Sequence, residues 1–237
     1  MADRILLFSG GLDSLMLKHL YSFEDRECLF VRLGTQENVQ EEKFIDSYAF
    51  TGIKKVDLPL CQFELGNKIL PFRNHMLAII GAQYSNQIYF AFTAGDTTKD
   101  KDYVFKAQME GLFNYFALDV DKVHHPGQHE VFMPFKHKSK GQLIKKYIDQ
   151  FGLYATKNLL ADSKSCYAGT DHGCGVCRSC LRKYVAACYA DAQLGVFVRD
   201  MMDADPRKDL TDFYAQSIIK GRAPQELKEI AECIKQQ

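Results

Sequence analysis

Apolar positions along the chain switch between two periods. Arg4 to Phe8 is a short continuous apolar run cut by Ser9-Gly10-Gly11, which predicts a buried strand. Leu12, Leu15, Met16 and Leu20 then recur at the spacing of one helix face, predicting a helix over Leu12 to Tyr21. The alternation continues. Cys28 to Leu33 predicts a strand, Val39 to Phe50 a helix with Phe44, Ile45 and Tyr48 inward, and Lys55 to Leu58 a short strand before Pro59. Asn74 to Tyr84 predicts a helix, Gln87 to Ala94 a strand stopped by Gly95, Tyr103 to Leu118 a helix and Glu130 to Phe132 an extended segment. Ser139 to Phe151 is helical, with Leu143, Ile144, Tyr147 and Ile148 on one face. Strands alternating with helices require right-handed crossovers, so the expected fold class is α/β, a Rossmann-like parallel sheet with helices on both faces. After Phe151 the pattern stops until a helix resumes near Cys180 and runs to about Leu194; Leu210 to Ile219 and Gln225 to Ile234 form a helical tail.

Composition narrows the class only modestly. No apolar stretch approaches the roughly 18 residues of a membrane span, and the amino terminus runs straight into the first strand, so the expected location is the cytoplasm and no membrane partner is expected. The 30 basic and 30 acidic residues cancel, which argues against nucleic acid as a partner. The charge is unevenly spread, however. Residues 1–130 carry 13 Lys and Arg against 18 Asp and Glu, and 131–237 carry 17 against 12. The excess lies between Val131 and Ser165, either as a solvated helix face or as lysines lining an anionic ligand site.

Ser9-Gly10-Gly11-Leu12-Asp13-Ser14 joins the first strand to the first helix. Two adjacent glycines let several amide hydrogens converge on one anion at a helix N-terminus, where the dipole also favours negative charge. Ser9 and Ser14 add hydroxyl donors, and Asp13 is placed to hold a magnesium ion bridging phosphate oxygens. A plain helix cap uses the same residue types. The loop is neither a Walker loop nor a dinucleotide fingerprint, because no Gly-Lys-Ser/Thr follows and the third glycine is missing.

Eight cysteines in a reducing compartment are thiols or metal ligands. Cys28, Cys61, Cys188 and Cys233 stand singly, whereas Cys166, Cys174, Cys177 and Cys180 crowd together. Four thiolates with no open position point to a structural tetrahedral zinc; an iron–sulfur cluster uses similarly tight spacing. His172 is read as a spare loop histidine, and His124, His125 and His129 as a surface loop rather than a second metal site.

The six-residue glycine turn resembles the PP-loop of the ATP pyrophosphatase superfamily, with its adenine nucleotide alpha hydrolase-like fold. Together with the four cysteines, it makes the chain similar to the 7-cyano-7-deazaguanine synthase family over about Ile5 to Ala187. Leu70-Pro71-Phe72-Arg73-Asn74 resembles that family's Val-Pro-Gly-Arg-Asn. Gly95 with Asp100, Met133-Pro134 with Ser139-Lys140, and Ser165-Cys166-Tyr167 with Cys174-Gly175 also resemble its motifs. The resemblance implies a PP-loop nucleotide-binding domain over 1–155, a zinc-binding helical region over 156–237, and a homodimer using ATP, magnesium and zinc. It implies a deazapurine acid and ammonia as small-molecule substrates. Ser9, Gly10, Gly11, Leu12, Asp13, Ser14, Arg73, Asn74, Gly95, Asp100 and Lys140 would bind nucleotide. Of these, Asp13, Arg73 and Lys140 would carry catalysis, and Cys166, Cys174, Cys177 and Cys180 would hold the metal.

The acceptor-side motifs differ. Lys101 to Lys106 contains no Pro-Asp-Cys-Arg, Leu33-Gly34-Thr35 replaces Tyr-Gly-Gln, and Arg182-Lys183 stands where one arginine is usual. An adenylating ligase for another carboxylate, a tRNA-modifying PP-loop enzyme and a nucleotide-sensing regulator therefore stay open as alternatives.

Overall fold

The computed structural model describes residues 3–48, 50–66, 69–117, 128–164, 166, 168, 170 and 173–236, without the side chains of residues 36 and 37. The chain divides into two compact units. The first comprises residues 1–10, 17–92 and 98–134; the second comprises 11–16, 93–97 and 135–237.

The first unit is built on a five-stranded sheet: β1 (Ile5–Leu7), β2 (Cys28–Arg32), β3 (Lys54–Asp57), β4 (Gln87–Tyr89) and β5 (Glu130–Phe132). The order is β3-β2-β1-β4-β5 and every neighbouring pair is parallel. The parallel α/β expectation holds. Ile5, Leu29, Val31, Ile88 and Val131 point to one face, where they share an apolar cluster with Ala78 and Ala82 of α3 (Arg73–Ala82) and with Phe105, Met109 and Phe113 of α4 (Tyr103–Ala117). Alternation sends Leu6 and Phe30, each at most 1% exposed, to the opposite face. The Phe8 ring there meets Phe50 edge-on at 5.5 Å, and Phe50 meets Phe44 of α2 (Gln36–Ser47). Helix α1 (Leu12–Leu20) leaves the glycine turn. Strand order reverses direction at β1 and β4, the two central strands, and sheets of this build bind ligands outside the carboxyl ends at such a reversal.

The second unit is helical: α5 (Lys140–Asp162), α6 (Arg178–Ala190), α7 (Ala192–Met201), α8 (Leu210–Ile219) and α9 (Pro224–Lys235). Helix α6 sits at its centre, packed against the other four. Ala186 and Ala187, fully buried, allow close approach. Strand β4 ends at Tyr89 rather than running to Ala94, and two helices of this unit also differ from the sequence expectation. Helix α5 does not stop at Phe151; it kinks at Gly152 (φ 81°) and continues to Asp162, because only that residue needs a left-handed conformation. The helix expected to run to Leu194 is two helices, since the Asp191 backbone leaves helical geometry and its side chain accepts from the amides of Gln193 and Leu194 to cap α7. His129, expected on a surface loop, is only 3% exposed: its amide donates to Asn114 Oδ1 at 2.7 Å and its ring packs near Phe113. His124, His125 and His172 lie outside the described residues. Among the described residues, no helix is long and apolar enough to cross a membrane.

Candidate active site and metal centre

Gly10 follows β1 with φ 72°, and a Cβ there would meet Phe44 Cδ1 at 2.6 Å, so both conformation and space require glycine. The Gly11 carbonyl accepts the Leu15 amide at 3.0 Å and the Ser14 hydroxyl at 2.9 Å, which starts α1 directly from the turn. Asp13 occupies the first turn of that helix, where its charge suits the positive end of the dipole.

Lys140, the first residue of α5, places Nζ 2.9 Å from Asp13 Oδ2 across 127 positions of sequence. Lys140 is 9% exposed, and the other oxygen, Asp13 Oδ1, is buried without a hydrogen-bond partner among the described residues. A buried carboxylate oxygen left unpaired costs free energy that a cation would recover, so the residue fits a magnesium ligand. Lys183, 7% exposed, donates to the Ser163 carbonyl at 3.2 Å, and burial pulls its ammonium down to about 8.

A second charged cluster in the same unit surrounds Arg182. Its Nε lies 2.9 Å from Glu226 Oε1, Nη2 3.3 Å from Thr93 Oγ1 and Nη1 3.6 Å from Asp96 Oδ1. Arg222 Nη1 reaches Glu226 Oε2 at 3.0 Å and the Gly95 carbonyl at 3.1 Å. Burial works against the Arg182 charge, but Asp96, Glu226 and Asp13 outweigh it and hold its pKa above the ordinary value. Glu226 shows the converse: burial opposes its charge, and Arg182 and Arg222 still keep its carboxyl below the usual range. A Cβ on Gly95 would run into the Glu226 carboxylate and the Arg182 guanidinium, which explains the glycine. Sequence reasoning missed Asp96, Arg222 and Glu226. Its available signal was a helical stripe in α9, where Glu226, Glu229, Ile230 and Cys233 share the buried face.

In the first unit, Asn74 is 3% exposed and its Nδ2 donates to Asp100 Oδ2 at 2.7 Å, joining two motifs that the sequence keeps 26 residues apart. Arg73 opens α3 half-buried and makes no ion pair among the described residues. Phe72 before it adopts φ 58° and ψ 13° and is 68% exposed. That left-handed geometry is the physical reason a glycine is suited to the position. A cleft of about 370 Å³ opens beside the carboxyl ends of β2 and β3, lined by Arg32, Gly34, Asn38, Glu42 and Asp57 among others. Arg32 is already paired there with Glu42 at 2.6 Å and Asp57 at 3.3 Å.

The four clustered cysteines converge: the sulfurs of Cys166, Cys174, Cys177 and Cys180 all lie within 4.8 Å of one another. A zinc ion about 2.3 Å from each of four tetrahedral sulfurs sets them roughly 3.8 Å apart, so the set fits one ion. A four-iron cube binds each thiolate to a separate iron and spreads the sulfurs further. The Cys174 amide donates to Cys166 Sγ at 3.3 Å and the Cys177 amide to Cys174 Sγ at 3.4 Å, the outer bonds expected of a thiolate site. Burial opposes the Cys166 thiolate, yet the Cys174 amide and Thr170 hydroxyl hold its pKa low. Neighbouring Cys177 and then burial push the Cys180 thiol up. Gly175 adopts φ 79°, and a Cβ there would strike the Ala204 carbonyl. Ser165 and Tyr167 lie outside the described residues.

A parallel sheet of this order, a glycine turn after its first strand and a four-thiolate centre define an α/β protein of the PP-loop type. The family profile described as "Queuosine biosynthesis protein QueC" matches residues 51–190, and the chain belongs to that family. A 7-cyano-7-deazaguanine synthase from Sulfurovum sp. (strain NBC37-1) is 25% identical over 209 residues, covering 74% of this chain and 89% of that protein. The profile spans Arg73, Asn74, Gly95, Asp100, Lys140 and all four cysteines; the glycine turn and α7 to α9 lie outside it.

Proposed function

We propose that the protein is an ATP-dependent carbon–nitrogen ligase that converts 7-carboxy-7-deazaguanine and ammonia to 7-cyano-7-deazaguanine. The observation that carries this reading is the Lys140–Asp13 pair at the glycine turn, with Asp13 Oδ1 buried and unpartnered. A carboxylate is a poor acyl donor because oxide would have to leave. Attack of its oxygen on the α-phosphate of ATP releases pyrophosphate and forms an acyl adenylate, from which ammonia displaces AMP to give the amide. The amide oxygen attacks a second ATP, again releasing pyrophosphate; loss of AMP and a proton then forms the carbon–nitrogen triple bond.

The chain's part is positioning and charge stabilisation. The amides of Gly10, Gly11 and Leu12, with the Ser9 and Ser14 hydroxyls, cradle the leaving pyrophosphate. For this Ser14 turns its proton from the Gly11 carbonyl to phosphate. Lys140 and Arg73 neutralise phosphoryl charge, and Asn74, Gly95 and Asp100 complete the nucleotide contacts. Asp13 would hold magnesium, which would supply positive charge to offset that of the phosphates. Cys166, Cys174, Cys177 and Cys180 would hold zinc as a structural brace, and the active species would be a homodimer in the cytoplasm.

A second reading, the same adenylation of another carboxylate, draws on Leu33-Gly34-Thr35, on the Lys101 to Lys106 segment and on Arg182-Lys183, where the acceptor-side motifs differ. Incubation with 7-carboxy-7-deazaguanine, ammonium and magnesium ATP, followed by mass spectrometry, separates the two. Nitrile with AMP supports the first reading, AMP only with another acid supports the second, and ADP as sole nucleotide product refutes both. Asp13→Ala should abolish AMP release while circular dichroism stays unchanged; turnover at the wild-type rate would remove the proposed metal role.

A further inference from the structure

Helix α9 lies beyond the part of the chain that matches the family, yet it carries two buried carboxylates, Glu226 at 5% and Glu229 at 1% exposure. Glu226 is fully engaged by arginines. Glu229 faces the first turn of α5. Its Oε1 accepts the Ser139 hydroxyl, its carboxylate accepts the Gly141 amide, and Gln225 Nε2 approaches Oε1 at 3.4 Å. Ser139 and Gly141 are the two residues that flank Lys140. The space for this approach exists only because residue 141 is glycine: a Cβ there would meet Glu229 Oε2 at 2.9 Å and Tyr189 Cδ1 at 2.5 Å.

The Ser139 hydroxyl is doubly used, accepting the Gln142 amide at 3.1 Å as the α5 cap while donating to Glu229. Gln142 closes the capping box by accepting the Ser139 amide at 3.0 Å. The carboxylate thus holds the Ser139 side chain and the Gly141 amide, one on each side of Lys140, at the start of α5. We propose that Glu229 is a positioning residue: by clamping Ser139 and Gly141 it aims the Lys140 ammonium at the reacting phosphates. This rests on the function proposed above and gives the carboxyl-terminal helix a part in it.

A small displacement of a charge-stabilising group costs up to about 100-fold in rate. Glu229→Ala should therefore lower kcat for AMP release about 30- to 100-fold, with KM for ATP changed less than about threefold. Glu229→Gln, which keeps the length and one acceptor, should recover most of that loss. Amide hydrogen exchange of the 139–145 segment should rise about tenfold or more in Glu229→Ala, while α6 and α7 exchange as in the wild type. The exchange arm needs no turnover, so a wild type that releases no AMP refutes the ligase reading and leaves the clamp itself measurable. Unchanged kcat and unchanged exchange in Glu229→Ala would overturn the proposal, as would Glu229→Gln performing no better than Ala. Should Glu229→Ala not fold, Ser139→Ala removes the hydroxyl that Glu229 accepts and leaves α9 intact; wild-type kcat in that variant overturns it equally.

Discussion

Phe72 offers the sharpest test of the local physics, because its backbone geometry reverses an ordinary rule. At a regular position, glycine is less stable than alanine by roughly 0.5–1 kcal/mol, since it loses more freedom on folding. Phe72 sits at φ 58°, where any residue with a Cβ pays about 1–2 kcal/mol. Its side chain is 68% exposed and touches His75 edge-on at 5.9 Å, so truncation removes little burial. Phe72→Ala and Phe72→Gly lose the same ring and differ only in backbone strain against chain entropy. Setting about 1–2 against roughly 0.5–1 leaves glycine the more stable of the two by about 1 kcal/mol. For a chain of this size, that is a Tm difference of about 2–4 °C. Urea titration and thermal melts followed by far-ultraviolet circular dichroism read it directly. If Phe72→Ala equals or exceeds Phe72→Gly, the left-handed strain at this position is refuted.

The cysteine centre should carry about one zinc and no iron per chain by elemental analysis; Cys174→Ser should lose the metal and lower the melting temperature, and iron in fresh wild-type protein would refute the zinc assignment. Glu226→Gln should cost about 3–5 kcal/mol in urea titration, because it leaves Arg182 and Arg222 without their shared carboxylate. Since the folded protein holds the Glu226 carboxyl below its ordinary 4.5, its contribution is complete above that pH and is lost as pH falls below it. The wild type should therefore lose stability more steeply than Glu226→Gln below pH 4.5; parallel acid limbs would show that the ion cluster is not responsible.

Local physics was legible wherever one residue type answers one local demand. The Ser9-Gly10-Gly11 turn and the strand before it could be read directly, because a positive φ at Gly10 and a buried apolar run leave their marks within a few residues. The cysteine spacing announced a thiolate cluster for the same reason. The boundaries of α5 and α6 were less legible: glycine can end a helix or merely kink it, and aspartate can finish one helix while capping the next. Helical periodicity marked the face of α9 but not its meaning, since a buried glutamate reads as a defect until its partner is known.

What the sequence by itself determined is the alternation of strand and helix, the glycine turn and the four-thiolate set, each specified by neighbours in the chain. Only the tertiary structure decided that Lys140 pairs with Asp13, that Arg182 and Arg222 share Glu226, and that Glu229 clamps the start of α5. The reason is physical. A buried charge needs a countercharge or a hydrogen-bond partner beside it, and these partners lie 127, 44, 4 and 90 residues apart. Most of those separations are set by how the helices pack rather than by any periodicity of the chain.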